Sequence, residues 1–525
     1  MKKRPIIGID LGTTFSALAA LDENGKSAIE SCGGHRITPS CIVGPKLDPG
    51  TLYVGTEAKE MLSSEAKEGF ICQHFKRHMG AAKSHTNKQG DISLTPVEAS
   101  SKVLQKLVQE ASKTLGDIDE VVITVPAQFL EKQRKATMEA GALAGLTVKH
   151  IINEPTAAAL AFATQQDVDG TILIYDLGGG TFDVTIANVS GQDVEVLTSE
   201  GNTDLGGIDF DLKIAGIVDA EHKKQYGRTL KDALGISNDD DGDKSDVWQD
   251  LLSESEDAKK MLSKRPVAKI KFYGSPDGPV MMDLSKDSFE SSISALIAKT
   301  EMLVEAAMDN IDVTPDGIDL VLLVGGSSRI PAARKSLCSL FGESKLSDAV
   351  NPDEAVAVGA AIYAGLKTDK SQLNPLQQDK MSKVSITDVT NFYMGFLALV
   401  RDEDLGTKSK EVCNILSKDA ALPCSNTERF YTASDEQEWL NCTATQSKTE
   451  ETDPSFVNII YKEALGPLPS GRPSGKPIDV TFTYNTNGTL EVGFKDIESG
   501  MERNDIVNVD ADVPDPVKVQ SFNIE

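Results

Sequence analysis

The sequence predicts an α/β protein of two lobes followed by an all-β domain. Three observations carry that prediction. An apolar strand, an Asp-Leu-Gly turn and a returning strand occur twice, around Asp10 and around Asp176. Apolar strand-like runs then alternate with helical periodicity up to about residue 366. Beyond that point a period of two takes over.

In the first hairpin, Ile6, Ile7 and Ile9 lead into Asp10-Leu11-Gly12-Thr13-Thr14, and Phe15, Ala17, Leu18 and Ala19 follow. Gly8 and Gly12 leave the backbone open to close approach. The hydroxyls of Thr13 and Thr14 and the turn amides can face a phosphate, while Asp10 can hold a hydrated magnesium ion. Alone, the stretch suits an ordinary strand-Asp-Gly turn equally well. The second copy, from Ile172 through Asp176, Gly178, Gly179, Gly180 and Thr181 to Asp183, changes its meaning. Two hairpins with acidic tips suit one nucleotide phosphate tail clamped between lobes.

Composition bounds the partners. The chain has 525 residues, enough for more than one domain, with 40% hydrophobic and 25% charged residues. Its formal charge of −27 argues against nucleic acid. Seven cysteines without a Cys-x-x-Cys spacing predict reduced thiols and a cytoplasmic protein. The basic start Lys2-Lys3-Arg4 lies too close to Asp10 to precede a signal segment. No run of 18 apolar residues is present, so no membrane span is expected.

The elements follow in order. Residues 31–55 predict short strands. His74 and His78 are four apart, but no third metal ligand is near, and Lys76-Arg77 alone suits a solvated surface. Val103, Leu104, Leu107, Val108, Ala111 and Leu115 share one helical face, and Gly116 ends that helix. A strand at 121–126 stops at Pro126, and a helix carrying Arg134 begins at Glu131. Asn153-Glu154-Pro155 opens a helix whose small face, Ala157-Ala158-Ala159, permits a close crossing. Gly206-Gly207 forms another turn before a helix. Residues 238–246 read as an acidic loop. Glu256, Lys259, Lys260 and Ser263 share one helical face. The strand ending at Val324 opens through Gly325-Gly326-Ser327 toward Arg329, a turn able to pass beside a flat base. Asn351-Pro352-Asp353 caps a helix containing Gly359-Ala360-Ala361. Residues 367–383 are polar and read as a linker. Alternation at Ile478, Val480, Phe482, Tyr484 and at Leu490, Val492, Phe494, with Asn487-Gly488 between, predicts a hairpin inside an all-β region at 391–512.

Taken together, the Asp10 and Asp176 hairpins, Ile152-Asn153-Glu154-Pro155-Thr156, the Leu323-to-Pro331 segment and Gly359-Ala360-Ala361 resemble, in order, the motifs of the seventy-kilodalton heat-shock chaperones, the DnaK-like proteins. The short end resembles the HscC-like bacterial branch. The resemblance implies an actin-like ATPase at 1–378, a linker at 379–390 and a β-sandwich at 391–525 that binds extended apolar peptide. It implies ATP or ADP and Mg2+ as ligands, with K+ as a companion cation. It places Gly12, Thr13, Thr14, Thr181, Gly178, Gly179, Gly180, Gly206 and Gly207 at the phosphates, and Asp10, Glu154, Asp176 and Asp183 around hydrated magnesium. Lys76 matches the lysine that positions the attacking water, with Arg77 beside it. Glu256, Lys259, Lys260, Ser263, Gly325, Gly326, Ser327, Arg329 and Asp353 match adenosine positions. Pro126 and Arg134 match the pair that reports nucleotide state. Val412, Ala433 and Leu440 match the peptide cleft, and a J-domain protein and an exchange factor are the implied partners.

Several departures accompany the match. Ser385 and Thr387 interrupt an otherwise apolar linker, predicting weaker docking. Ile208, His150 and Trp439 stand at altered nucleotide, partner and cleft positions. The helical lid is expected to be missing, predicting fast peptide release. Two rivals remain at this stage: a nucleotide-binding regulator with little turnover, and a sugar kinase or filament protein on the same fold, which would leave the β region unexplained.

Overall fold

The computed structural model describes residues 4–45, 48, 50–62, 69–87, 92–166, 168–236, 246–401, 408–486, 488–507 and 523–524. The predicted acidic loop and Asn487 lie largely or wholly outside these residues.

Each of the first two lobes is built on one sheet, and the two sheets repeat one plan. In the first, Thr147–Asn153, Glu120–Val125, Ile7–Asp10, Phe15–Leu21 and Ser27–Glu30 lie side by side, with Thr38–Pro39 paired to Phe15–Leu21. In the second, the order is Leu346–Ser347, Leu320–Val324, Gly170–Leu177, Phe182–Ser190, Asp193–Asn202 and Ser385–Thr387. In both, a central strand has a parallel neighbour on one side and the antiparallel arm of its hairpin on the other. The strands Ile7–Asp10 and Gly170–Leu177 are buried almost throughout, as their near-continuous apolar runs require.

Local chemistry sets the helix ends. The Pro96–Leu115 helix starts on a capping box, in which Thr95 accepts from the Glu98 amide and Glu98 accepts from the Thr95 amide. Behind the hairpins, the helices Glu154–Gln165 and Ala355–Lys367 join one apolar core. Small residues let them meet at backbone distance: a Cβ on Gly359 would stand 1.7 Å from the Ala157 carbonyl oxygen.

Residues 375–381, read from composition as part of a linker, instead form a helix. Asn374 caps it, exchanging hydrogen bonds with Gln377, and Pro375 opens it. The following strand Ser385–Thr387 is docked despite its two hydroxyl residues. It adds to Asp193–Asn202 in parallel register, and Ser385 Oγ donates to Asp193 Oδ1 at 2.6 Å. A main-chain ladder does not depend on side-chain polarity, while Val384 and Val389 are buried in the helix-crossing core.

The β domain packs two four-stranded antiparallel sheets. One orders Lys408–Leu416, Tyr393–Arg401, Leu440–Ser447 and Asn458–Leu465; the other Cys424–Tyr431, Pro477–Tyr484, Leu490–Asp496 and Glu502–Ile506. Inward residues of both sheets, including Phe396, Cys442, Phe482 and Phe494, form one core. The Pro477–Tyr484 and Leu490–Asp496 strands pair as the alternation predicts. The chain's last described strand, Asn523–Ile524, leaves this domain and pairs with Thr51–Val54 of the first lobe.

The domain sits against both lobes. Tyr484 Oη donates to Glu131 Oε1 at 2.7 Å, and Asn391 Nδ2 to the Ala127 carbonyl at 2.8 Å. Burial raises the Glu131 carboxyl above its ordinary range.

Gly359→Ala should lower the denaturation midpoint by the equivalent of about 1–3 kcal/mol, the cost of overpacking, in equilibrium unfolding followed by circular dichroism. An unchanged midpoint would show that the helices do not depend on this close approach.

Candidate functional site

The two hairpin tips, the start of one crossing helix and the loop before the other enclose a cavity of about 530 Å³ between the lobes. Among its lining residues are Asp10, Gly12, Thr13, Thr14, Lys76, Glu154, Asp176, Gly178, Gly179 and Thr181. The tips touch: a Cβ on Gly179 would stand 2.0 Å from Thr14 Oγ1, so only glycine fits there.

Lys76 is the central cation. It lies in the 3-10 turn Phe75–His78, entered through His74 at φ 58°, and is 1% exposed. Its Nζ donates to Glu154 Oε1 at 2.5 Å and lies 5.7 Å from the Phe129 ring centre. Glu154 opens the buried crossing helix. Asp10 accepts from Thr124 Oγ1 at 3.0 Å. Asp176 and Asp183 face one another across the second hairpin.

This cluster carries excess negative charge. Burial, with Glu154 next, pushes Asp10 and Asp183 each up to about 7. Burial and the same neighbouring charges raise Asp176 well above its ordinary range. Both carboxylate oxygens of Asp183 are buried and meet no side-chain donor; the Ala127 backbone amide favours their charged form. The single ammonium of Lys76 does not neutralise four carboxylates, and the surplus suits a hydrated divalent cation. Among the described residues, no three His, Cys, Asp or Glu side chains are grouped to ligate one ion directly.

The opposite end of the cavity is lined by Glu256, Lys259, Lys260, Ser263, Gly325, Gly326, Ser327, Arg329 and Asp353. Glu256 accepts from Lys59 at 2.9 Å, across the cleft, and from Lys260 at 2.8 Å. Burial opposes its charge, but those two lysines outweigh burial and bring Glu256 down to about 2. Lys259 donates to Asp211 at 2.8 Å and to the Gly207 carbonyl at 2.9 Å. Arg329 pairs with Asp353 at 2.8 Å.

Other predicted residues form a supporting ring. Arg77 pairs with Asp209 at 2.8 Å, whose Oδ2 also accepts from the Gly206 amide at 2.7 Å. Gly180 packs on Thr13 and Arg77, and Gly207 against Ser327 and Lys259. Arg134 donates to Asn153 Oδ1 at 2.5 Å, and Asn153 in turn donates to Asp388 at 3.1 Å, joining the start of the Glu154–Gln165 helix to the segment after the docked strand. Val412, Ala433 and Leu440 fall on separate elements: Val412 and Leu440 are buried, Leu440 within the sandwich core, and the half-buried Ala433 donates its amide to Gln437.

Sequence reasoning missed Phe15, Ile37, His74, Asp211, Lys264 and Val356 in the cavity wall. Asp211 had a signal, standing four residues after Gly207 and therefore on its helical face. It is buried, Oδ1 has no partner, and burial raises it to about 6. His74 had none, because its place depends on a left-handed backbone turn.

The comparisons agree with this geometry. The family profile described as "Hsp70 protein" matches residues 6–98 and 82–516. Among curated relatives, the chaperone protein DnaK of two Halobacterium salinarum strains, R1 and NRC-1, is in each case 33% identical over 507 residues, covering 95% of this chain and 74% of the relative.

The Glu256 linkage has a definite sign. Its folded value lies below the ordinary 4.5, so its contribution is present above that pH and is lost as pH falls toward about 2. Glu256→Gln should cost roughly 2–3 kcal/mol near neutrality, and the gap to the parent should narrow below pH 4.5 and close toward about pH 2. Denaturant titrations at stepped pH read this; a pH-independent gap would contradict it.

Proposed function

The chain belongs to the Hsp70 protein family, and on that premise we propose that it is a molecular chaperone that hydrolyses ATP to control its hold on extended apolar peptide segments. The observation that supports this most is the interlobe cavity, with paired hairpin tips, a buried lysine and the carboxylates of Asp10, Glu154 and Asp176 at one end and a Glu–Lys–Arg wall at the other.

In this reading residues 1–378 hold nucleotide, 379–390 connect, and 391–525 hold peptide. Thr13, Thr14, Thr181 and the hairpin amides orient the phosphate tail. Glu256, Lys259, Lys260, Ser263, Arg329 and Asp353 hold the nucleoside. Lys76, fixed by Glu154, positions the attacking water and faces charge on the transferring phosphoryl group. Asp10, Glu154, Asp176 and Asp183 would hold hydrated Mg2+, which when bound supplies charge neutralisation at the phosphate oxygens. Burial lets these charges act at low dielectric, so positioning carries the rate.

Val412, Ala433 and Leu440 serve the peptide cleft, where main-chain hydrogen bonds supply affinity. Asp388, accepting from Asn153 and Thr156, ties the connecting segment to the helix that Glu154 opens, which gives nucleotide state a route to the β domain. A J-domain protein and an exchange factor are the proposed partners. No described helix is long and apolar enough to cross a membrane.

Lys76→Ala should lower single-turnover hydrolysis by about a hundredfold or more, with ATP affinity largely kept in calorimetry. Unchanged turnover would remove Lys76 from the mechanism. On peptide arrays, affinity should differ between ATP and ADP; equal affinity would show that nucleotide does not control the β domain.

A further inference from the structure

Two lysines of the β domain reach the same point on the second lobe. Lys418 pairs with Glu200, its side chain only 9% exposed, and Asn310 donates to the same Glu200 oxygen at 2.8 Å. Lys448, whose stem is exposed, turns its ammonium to the carbonyl of Gly201 at 3.4 Å. Glu200 and Gly201 belong to the Asp193–Asn202 strand, and Gly201 is the ladder partner of Asp183.

There is no slack at that pairing. A Cβ on Gly201 would lie 2.6 Å from Asp183 Oδ1 and 2.5 Å from the Phe182 carbonyl oxygen. Gln128 supports the strand one turn of the pleat away, donating to the Ser199 carbonyl at 3.2 Å. Displacing Gly201 therefore displaces Asp183. Asp183 makes no side-chain hydrogen bond, and Lys76 is paired with Glu154. The Ala127 amide, then the charge of Lys448, then that of Lys76 favour its charged carboxylate.

We propose that Lys448 is a positioning residue of the hydrolytic site, supplied by the β domain, which holds Gly201 and faces Asp183 with a countercharge. This rests on the ATPase reading above. Lys448 does not touch nucleotide or water; it acts through Gly201 and Asp183. Docking of the β domain and the arrangement of the metal-binding carboxylates are then coupled through one side chain, and each must influence the other.

The test uses the full chain with Lys448→Met and Lys448→Arg. Lys448→Met should lower the single-turnover rate about tenfold with KM for ATP within about twofold, the pattern of an interaction felt in the transition state. Lys448→Arg should keep the parent rate within about twofold, because it retains the charge. A second measurement follows ADP binding by calorimetry against Mg2+ concentration. Removing a positive charge beside the carboxylates should lower the half-saturating Mg2+ by about threefold in Lys448→Met, and leave Lys448→Arg at the parent value. The proposal is overturned if Lys448→Met matches the parent in both measurements, or if Lys448→Arg fails as Lys448→Met does. A parent that binds Mg2+ and ADP but does not hydrolyse ATP defeats the ATPase reading alone; the Mg2+ titration then decides Lys448 by itself.

Discussion

Two helices crossing at backbone distance set the frame for everything else. Because Gly359 rests on the Ala157 carbonyl, the helices Glu154–Gln165 and Ala355–Lys367 have no intervening side chain to act as a spacer. The hairpins they support meet tip to tip, with Thr14 against Gly179. Any larger residue at the crossing would push the two helices, and with them the hairpin tips that line the interlobe cavity, apart. Close packing here is thus a condition of the chemistry as well as of stability.

Electrostatics works within that frame. The cluster around Glu154 is unfavourable in isolation, since burial and repulsion between like charges raise the proton affinities of Asp10, Asp176 and Asp183. A site strained in this way is stabilised by whatever cation enters it. At the far end Glu256 behaves oppositely, held charged by Lys59 and Lys260 from two different lobes. One cavity therefore has a cation-seeking end and an already neutralised end, a polarity suited to a ligand with a charged tail and an uncharged head.

Much of this was legible in the sequence because it depends on short-range pattern. The Asp-Leu-Gly hairpins, the Ala157-Ala158-Ala159 and Gly359-Ala360-Ala361 faces and the i, i+3, i+4, i+7 set from Glu256 to Ser263 are local. Each lands where the structure uses it. What escaped depends on long-range geometry or on backbone form. Lys76 taken by its neighbours alone reads as a solvated charge and is reached only through the family resemblance; the chain's return at Glu154 buries it. Asn374 converts an apparently extended polar stretch into a helix by capping, a signal overshadowed by its composition. Ser385 and Thr387 do not prevent docking, because main-chain pairing, which side-chain polarity leaves intact, holds the strand in place.

The docked Ser385–Thr387 strand has one more consequence, for the protein's behaviour toward other chains. It occupies the outer edge of the second-lobe sheet, covering the ladder of Asp193–Asn202 at Asp193, Val194 and Glu195. If the strand lifts away, a row of unpaired amides and carbonyls is presented to the surroundings, the kind of template on which proteins stick to one another. Asp193 and Glu195, spaced two apart along that edge, put like charges on any second copy that tries to add there. The acidic character of the chain, unremarkable as bulk composition, would act at this rim as a guard against self-association whenever the connecting strand is free.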